Sequence, residues 1–415
     1  MFYEFPIIET IDDVLPAIEG VDEIIVADRG DHTIINYVVV TPDTFPPIKV
    51  AGGSKRMREE RAQRNAIRRE CRGLIFDKSG RIVRRPYHKF FNANEREETL
   101  FGKIPFEFRE HKFLEKLDGS MIAAFLIDDE LRWGTRMGVT DVADQVLPFV
   151  SERDKLVEWV RYQCENGFTP IFEWCSRQQK IVIDHPEDRL VLTANRNNRT
   201  GEYEDIQRVG KTFQEHVFDV VQQHEFDEIE SAEAIHQLPM EAVGEGTVIR
   251  FDNGHMVKIK TEEYSRIHKV KERIEEERHV VLDLITGKFD DTIAMAPFED
   301  VQRLQKYATK FWNARGEFIR QLREKINTIP GQFDSRKDFA LSDRDHLSKF
   351  EIRAIFHFWD YHEFEGDGAV HYYDVDDYLV AKYVDDGLIK TNCGTRTKFG
   401  EMKSQVFPDV SFKVY

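Results

Sequence analysis

The sequence has little cysteine and no two cysteines in C-x-x-C spacing, with four in 415 residues. We therefore expect neither a disulfide scaffold nor a cysteine-based zinc site. It also lacks any run of about 18 apolar residues, the length of a membrane helix. The first residues lack the basic and apolar regions of a secretory signal. These absences predict an intracellular, cytoplasmic protein with no membrane partner.

Positive charge is also scarce, since the formal net charge is -17. This balance argues against nucleic-acid binding by bulk electrostatics, but it leaves room for a local basic site. The segment between Ser54 and Arg72 is such a site, because lysine and arginine outnumber glutamate there by five. Its candidate phosphate-binding residues are Arg56, Arg58, Arg61, Arg64 and Arg68. A solvated helix face with i,i+4 ion pairs is the alternative.

Neither a P-loop nor a G-x-G-x-x-G is present, so the usual glycine-rich phosphate loops are missing. The sequence has instead Lys116-Leu117-Asp118-Gly119-Ser120 at the end of a predicted strand. Glycine permits a tight turn behind the lysine, which would let the amine approach a phosphate. A charged hairpin tip with Asp-Gly turn chemistry is the alternative. Lys116 is our candidate nucleophile.

Two acids and two lysines lie in unusual strand positions. Glu173 interrupts the apolar strand predicted over 169–174, where a carboxylate is costly unless it is paired or functional. Glu245 stands between two glycines at the start of another strand. Lys258 and Lys260 are two residues apart on a strand and so point to the same face. An exposed edge strand that bears lysines would explain the last pair equally well.

Upstream, Lys89 and Phe91 form a polar and aromatic segment in which the lysine would contact phosphate and the ring would stack on a base. Simple packing with a solvated lysine head is the alternative. Residues 121–127 and 131–135 are predicted to form a hairpin. Beyond Thr261 the apolar period changes from two residues to about 3.6, which predicts helices and a domain boundary.

These residue types suit one reaction, covalent nucleotidyl transfer. A lysine attacks only as the free amine, and neighbouring cations disfavour its ammonium form. Lys258 and Lys260 would do this for Lys116, and they would also stabilise charge on the phosphate under attack. Glu245 would help to hold a divalent metal. Lys116 would then attack the α-phosphate of a nucleoside triphosphate and release pyrophosphate.

The order and spacing of six segments resemble the covalent nucleotidyltransferase superfamily of polynucleotide ligases and messenger RNA capping enzymes. Within it, the sequence is similar to the phage RNA ligase 1 family. The segments are Glu70-Cys71-Arg72-Gly73, Lys89-Phe90-Phe91-Asn92, Lys116-x-Asp118-Gly119-Ser120, Phe172-Glu173, Glu245-Gly246 and Lys258-Ile259-Lys260.

The resemblance implies an α+β fold in two domains. The first, residues 1–262, would be an ATP-grasp-like nucleotidyltransferase (adenylylation) domain of antiparallel sheets with flanking helices. The second, residues 263–415, would be mostly α-helical and would contribute RNA specificity. The implied enzyme is an ATP-dependent RNA ligase. Lys116 would be adenylylated, AMP would pass to an RNA 5′-phosphate, and a 3′-hydroxyl would displace it.

By the same resemblance, the cofactors would be ATP and Mg²⁺ or Mn²⁺, and the partner would be RNA with 5′-phosphate and 3′-hydroxyl ends. RNA repair, with cleaved tRNA as one candidate substrate, follows as an expected role, in the host cytoplasm if a phage encodes the chain. No obligate protein partner is expected.

The implied site has four groups. The catalytic residues would be Lys116, Asp118, Lys258 and Lys260. The nucleotide would contact Tyr37, Arg72, Lys89, Phe91, Gly119, Arg136, Glu173, Glu245, Gly246, Lys258 and Lys260, with Gly119 and Gly246 leaving room for it. Glu173 and Glu245 would serve the metal, and Arg56, Arg58, Arg61, Arg64 and Arg68 would bind RNA. Arg136 departs from the family, which commonly has lysine there.

Two rival interpretations remain at this point. DNA ligases and GTP-using capping enzymes share the nucleophilic lysine, but an OB-fold generally follows their last lysine motif, whereas helices are predicted here. A non-catalytic module that senses RNA ends through a retained nucleotide pocket would belong to a different class of function.

Overall fold

The computed structural model describes residues 3–49, 51–105, 110–178, 181–213, 219–226, 231–296, 298–359, 399–400, 403–404 and 406–412. The chain divides into two compact units, Met1–Ser265 and Arg266–Tyr415. The described strands all belong to the first unit, and the second is built from helices. The predicted α+β class is confirmed.

The strands of the first unit are β1 Ile24–Asp28, β2 His32–Tyr37, β3 Arg72–Asp77, β4 Ile82–Arg84, β5 His111–Glu115, β6 Ser120–Ile127, β7 Glu130–Gly134, β8 Phe168–Cys175, β9 Arg189–Asn197, β10 Asp219–Val220, β11 Gln223–His224, β12 Gly246–Phe251 and β13 Met256–Lys260. Its helices are α1 Leu15–Ile18, α2 Lys55–Glu70, α3 Asp141–Asp144, α4 Val146–Ser151, α5 Asp154–Glu165, α6 Ile206–Phe213, α7 Ala232–His236 and α8 Met240–Val243.

The remaining helices are α9 Glu262–Glu275, α10 Glu277–Ile285, α11 Phe289–Met295, α12 Phe298–Thr328, α13 Arg336–Leu341 and α14 Lys349–Phe358. Short 3₁₀ turns lie at Ile11–Asp13, Glu97–Thr99, Phe101–Lys103 and Pro330–Gln332.

The strands form three sheets. Their orders are β1-β2-β3-β4, β10-β9-β8-β6-β7 and β11-β5-β12-β13. Neighbouring strands are antiparallel, except that β9 and β10 run parallel. The hairpin predicted over 121–127 and 131–135 is confirmed as β6 and β7. Antiparallel sheets with mainly short connections agree with the period-two patterning of the sequence.

A core of aromatic and aliphatic side chains joins α5 to the second sheet. Leu156, Trp159 and Val160 are buried on one face of the helix, as their spacing predicts, and they pack with Phe172 of β8. This packing fixes β8, and with it Glu173, against the neighbouring strand β6, where Met121 is the register partner of Glu173.

A buried ionic cluster secures the start of β3. Glu70 accepts hydrogen bonds from Arg85 Nε at 3.0 Å and from Arg196 Nη2 at 3.0 Å, and all three side chains are fully buried. Although burial disfavours its charge, Arg196 and Arg85 hold the pKa of Glu70 below its usual value. The glutamate of the first motif is therefore a structural anchor for the strand that begins with Arg72.

The second unit has its own apolar core, in which α12 and α14 contribute Phe311, Leu322, Phe350 and Ile355. Among the described residues, no helix combines the length and apolar character that crossing a bilayer requires. Cys71, Cys164 and Cys175 are free thiols, and Cys393 lies outside the described residues.

Candidate active site

The link between two sheets presents the predicted nucleophile. β5 ends at Glu115 in the third sheet, and β6 begins at Ser120 in the second. Lys116 lies in the four-residue connection between them, and its backbone N–H donates to the carbonyl of Gly246 at 3.0 Å. The predicted position at a strand end is confirmed, and the lysine is tied to the strand that follows Glu245.

A cavity of about 230 Å³ opens beside this link. Five of the residues predicted to bind the nucleotide or act on it line the cavity, namely Arg72, Lys116, Gly119, Glu173 and Lys258. Apolar and aromatic side chains complete the wall, among them Tyr87, Phe90, Leu114, Val248 and Met256. The cavity thus combines cations with a surface on which a flat base could stack.

Glu245 holds two of the predicted lysines together. Its buried carboxylate pairs with the Lys116 ammonium, and the same oxygen lies 3.1 Å from Lys260 Nζ. Lys116 retains 17% side-chain exposure, whereas Glu245 has 4%. Glu245 therefore holds the Lys116 side chain without lining the cavity itself, and the Lys116 amine remains accessible from the cavity.

Burial has opposite effects on the acid and the base in the cavity wall. Burial raises the pKa of Glu173 to about 7, Lys116 opposes this shift, and the nearby Glu245 carboxylate adds to it. Burial also lowers the pKa of Lys258 well below its usual value, as do Arg72, Lys116 and Lys89. An anion placed among these cations would reverse the shift of Lys258.

Tyr37, Lys89 and Arg136 form a second group next to Arg72. The Arg136 guanidinium lies 4.4 Å from the Tyr37 ring centre, and Lys89 Nζ lies 5.6 Å from it. Although burial opposes the shift, Arg72, Lys89 and Arg136 lower the pKa of the Tyr37 hydroxyl. None of the three residues lines the 230 Å³ cavity. Lys89 and Arg136 therefore add positive charge near Arg72 but outside the cavity wall.

Of the two neighbouring phenylalanines, Phe90 lines the cavity and the predicted Phe91 does not. The Phe90 ring lines the cavity and lies 4.6 Å from Lys258 Nζ. Phe91 has 1% exposure, and its ring is surrounded by Lys89 at 4.9 Å, Arg69 at 5.1 Å and Arg96 at 4.9 Å. The Phe91 ring therefore packs among these cations and does not form part of the cavity wall.

Asp118 was predicted to be catalytic, but its carboxylate is turned away from the cavity. One oxygen accepts from the backbone N–H groups of Val182 and Ile183 at 2.8 and 2.7 Å, and the other accepts from Tyr264 Oη at 2.8 Å. The side chain is 3% exposed. With its bonds so occupied, Asp118 is placed to fix the backbone that carries Lys116.

The two motif glycines make room for backbone. A Cβ on Gly119 would lie 2.4 Å from the carbonyl oxygen of Trp174, and one on Gly246 would lie 2.1 Å from that of Ile259. Gly246 also has φ +147, a conformation that other residues rarely adopt. The expectation that the two glycines leave room for the ligand is therefore incomplete. Glycine is required at both positions first of all because the backbone of a neighbouring strand packs directly against them.

The metal prediction rests on Glu173 and Glu245. Within the described ranges, no group of three or more His, Cys, Asp or Glu side chains is arranged to hold a metal ion. Burial, with the Glu245 carboxylate as a further cause, raises the pKa of Glu173, and a cation bound there would favour the ionised form of Glu173. The donor set fits Mg²⁺ or Mn²⁺ if phosphate oxygens and water complete the shell.

The predicted RNA-binding arginines have different surroundings. On the exposed face of α2, Arg56 Nε pairs with Glu60 at 2.7 Å and Arg58 Nη1 donates to the carbonyl of Gly53 at 2.8 Å. Arg61 also bonds to backbone carbonyls, and Arg64 is exposed. Arg68 instead donates to the carbonyl of Ala17 at 2.7 Å, so it ties α2 to the domain. RNA contact by the other four stays a prediction.

Comparison with known proteins finds relatives for the part of the chain that contains this cavity. A family model described as RNA ligase matches residues 70–264. In these residues, just under half of its length, the chain is similar to that family. A Thermovibrio ammonificans protein named "Putative RNA ligase" is 33% identical over 200 residues, which are 47% of this chain and 46% of that protein. RNA ligase 1 of bacteriophage TS2126 is 26% identical over 144 residues, 32% of this chain and 36% of that one.

The chain thus spans less than half the length of these two ligase relatives. Among solved structures, an archaeal ATP-dependent RNA ligase aligns with 14% identity and a TM-score of 0.42 over 68% of each chain. That superposition is too loose to bear on individual residues.

Sequence reasoning missed three polar residues at or near the cavity. Tyr264 bridges to Asp118, and its hydroxyl also bonds to Glu245. Tyr87 and Thr193 line the cavity and bond to each other. Tyr264 lies four residues after Lys260 in the first turn of α9, and nothing in the local pattern distinguishes it from other helix-start residues.

Proposed function

We propose that the chain is an ATP-dependent RNA ligase that joins RNA 5′-phosphate and 3′-hydroxyl ends through an adenylylated Lys116. The observation that carries this proposal is the Lys116 amine at the edge of a cavity that presents Arg72 and Lys258, with Glu245 behind it. The match of residues 70–264 to the RNA ligase family model supports the same chemistry.

In the first step, the Lys116 amine attacks the α-phosphorus of ATP. A phosphorus–nitrogen bond forms, the bond to the bridging oxygen of the β-phosphate breaks, and pyrophosphate leaves with the electron pair. Glu245 is in contact with the Lys116 ammonium, so its carboxylate is the nearest group that can accept the proton. The product is a lysyl-AMP.

The positive groups of the cavity are suited to the charge of this reaction. Burial lowers the pKa of Lys258, and repulsion by Arg72, Lys116 and the nearby Lys89 lowers it further. A triphosphate would relieve that repulsion, and the same groups would stabilise charge as the α-phosphate is attacked. Phe90, Leu114 and Val248 would cover the adenine.

When bound, Mg²⁺ would neutralise part of the triphosphate charge, with Glu173 and Glu245 as its protein ligands. In the second step AMP passes from Lys116 to an RNA 5′-phosphate, and in the third a 3′-hydroxyl displaces AMP. Free thiols at Cys71, Cys164 and Cys175 fit a reducing cytoplasm, where broken RNAs, including cleaved tRNA, are the proposed substrates.

The decisive experiment is incubation of the protein with α-³²P-ATP or α-³²P-GTP and magnesium, followed by denaturation. We expect label on the wild type with ATP and none on Lys116→Ala, because only this amine lies in the cavity beside Glu245. Lys112→Ala is the matched control. Lys112 is on β5, the strand that leads to Lys116, but its amine pairs with Asp205 at 3.2 Å on the surface, so its loss should leave labelling unchanged.

Label that survives Lys116→Ala would place the nucleophile elsewhere. Label from GTP alone would favour a capping-type nucleotidyltransferase. No label with either nucleotide, combined with binding of RNA ends, would favour the sensing module. Joining of 5′-phosphorylated RNA but not of nicked DNA completes the assignment to RNA.

A further inference from the structure

A second cavity, of about 500 Å³, lies near the active site and shares no lining residue with it. We call it the Phe45 cavity. Its walls come from the segment that follows β2 and from the 3₁₀ turns after Phe91, and they include Pro42, Phe45, Ile48, Lys49, Arg69 and Arg96. Its size is within the range of about 300 to 1,000 Å³ for small-molecule sites.

One short segment separates the two cavities. Phe90 lines the catalytic cavity, whereas the next ring, Phe91, lies about 5 Å from Arg69 and Arg96, which line the Phe45 cavity. The segment is held in place because the Lys258 N–H donates to the Phe91 carbonyl at 3.0 Å. The two cavities are therefore separated by consecutive residues of one segment, Phe90 and Phe91.

The Phe45 cavity has ordered walls. Arg69, with 5% exposure, pairs with Glu98 at 2.7 Å, and Arg96 Nη2 donates to the carbonyl of Thr41 at 3.1 Å. The buried Nε of Arg69 has no hydrogen-bond partner among the described residues. Such an unfilled donor is costly in a protein interior, and a polar ligand would satisfy it.

The lining has the two properties of a nucleotide site. Four cations face two carboxylates there, on a chain whose net charge is -17. Lys103 is paired with Glu97 at 2.6 Å, whereas exposed Lys49 has no ion-pair partner among the described residues. The apolar side, with Phe45 and Ile48, offers a surface for a base.

We propose that the Phe45 cavity holds a nucleotide of the RNA strand next to the end that is joined, with its phosphodiester at Lys49. This inference rests on the proposed ligase function. The triphosphate of ATP is a poorer occupant, because the cations nearest the catalytic cavity, Arg72, Lys89 and Arg136, are grouped around Tyr37 and do not line the Phe45 cavity.

The test uses Lys49→Glu, with Lys78→Glu as matched control on the exposed β3–β4 turn. We expect Lys49→Glu to weaken binding of 5′-phosphorylated RNA about tenfold at 0.1 M salt and to lower the salt slope by about one or more. Self-labelling by α-³²P-ATP should match the wild type. Pro47→Trp is a second variant, because Pro47 is an exposed lining residue and a large ring there would block the cavity.

Photocrosslinking of RNA that carries 4-thiouridine at either its 3′-hydroxyl or its 5′-phosphate end identifies the strand. Crosslinks to peptides 41–49 or 96–103 that are lost in Pro47→Trp support the proposal in either arm, and the arm that reacts names the strand. Crosslinks confined to other peptides contradict it, as does wild-type RNA binding by both variants.

Competition with pyrophosphate tests the remaining candidate occupant of the Phe45 cavity, which is the phosphate tail of ATP. If both variants slow self-labelling as much as RNA joining, and pyrophosphate blocks the crosslink, the cavity takes the phosphate tail of ATP and the proposal is wrong. Absence of self-labelling in the wild type would refute the ligase function instead. Crosslinking would still decide, in that case, whether the Phe45 cavity binds RNA.

Discussion

The raised pKa of Glu173 makes a prediction about stability. Its carboxyl ionises near pH 7 in the folded protein, against an ordinary value of 4.5. As the pH rises through 4.5, the unfolded chain loses this proton while the folded protein keeps it. The free energy of unfolding should therefore fall between pH 4.5 and 7 and show no further loss from this group above pH 7.

The size of the fall follows from the same two values. Their difference corresponds to about 3 kcal/mol, as an upper bound, since each tenfold change in proton affinity is about 1.4 kcal/mol. Glu173→Gln cannot ionise and should lack the fall. The difference in unfolding free energy between Glu173→Gln and the wild type should therefore grow by up to about 3 kcal/mol from pH 4.5 to 8.

Urea denaturation of both proteins at matched pH values measures this difference. The second unit is identical in the two proteins, so its contribution to the free energy of unfolding cancels. Glu130→Gln is the control for loss of a carboxylate, because Glu130 is exposed on β7 and lies beside Arg132. Saturating Mg²⁺ with ATP should reduce the fall, because Mg²⁺ held by Glu173 would stabilise the ionised carboxylate in the folded protein. Parallel curves for the wild type and Glu173→Gln from pH 4.5 to 8 would refute the reasoning.

Two further predictions concern the backbone around the nucleophile. Gly119→Ala should lower the free energy of unfolding by about 1 to 3 kcal/mol and reduce self-labelling, because the new Cβ would lie 2.4 Å from the Trp174 carbonyl oxygen. Gly102→Ala is the control, since nothing lies within 4 Å of the added Cβ. Equal effects of the two substitutions would contradict the packing argument. Tyr264→Phe removes the hydroxyl that donates to Asp118 and should lower the free energy of unfolding by about 1 to 3 kcal/mol. We expect a lower rate of self-labelling at saturating ATP and little change in ATP affinity. A change in ATP affinity alone would contradict a positioning role for Tyr264.

The sequence predicts the strands well where one face is buried and the other is not. The β6–β7 hairpin and the β12–β13 hairpin around Asp252-Asn253-Gly254 follow from local alternation and turn residues. The set of cavity residues follows only in part. A carboxylate such as Glu173 within an apolar strand is improbable unless it has a partner or a function, whereas Lys116 lies in the connection after β5.

Local pattern fails where a side chain's role depends on a distant contact. Which of Phe90 and Phe91 faces the cavity is fixed by pairing of their segment with Lys258, far away in the chain. The bond from Tyr264 to Asp118 spans 146 residues. No periodicity within either segment contains that information, since period-two alternation sets only the relative sides of neighbours.

The same distant contacts explain why K-x-D-G has this form. In the proposed reaction, the Lys116 amine moves toward a phosphate while its backbone stays fixed. The connection between β5 and β6 has no regular strand pairing to hold that backbone. Asp118 supplies the missing bonds through Val182, Ile183 and Tyr264, and Gly119 allows the chain to pass against β8. The acid and the glycine thus fix the frame in which only the lysine side chain is free to react.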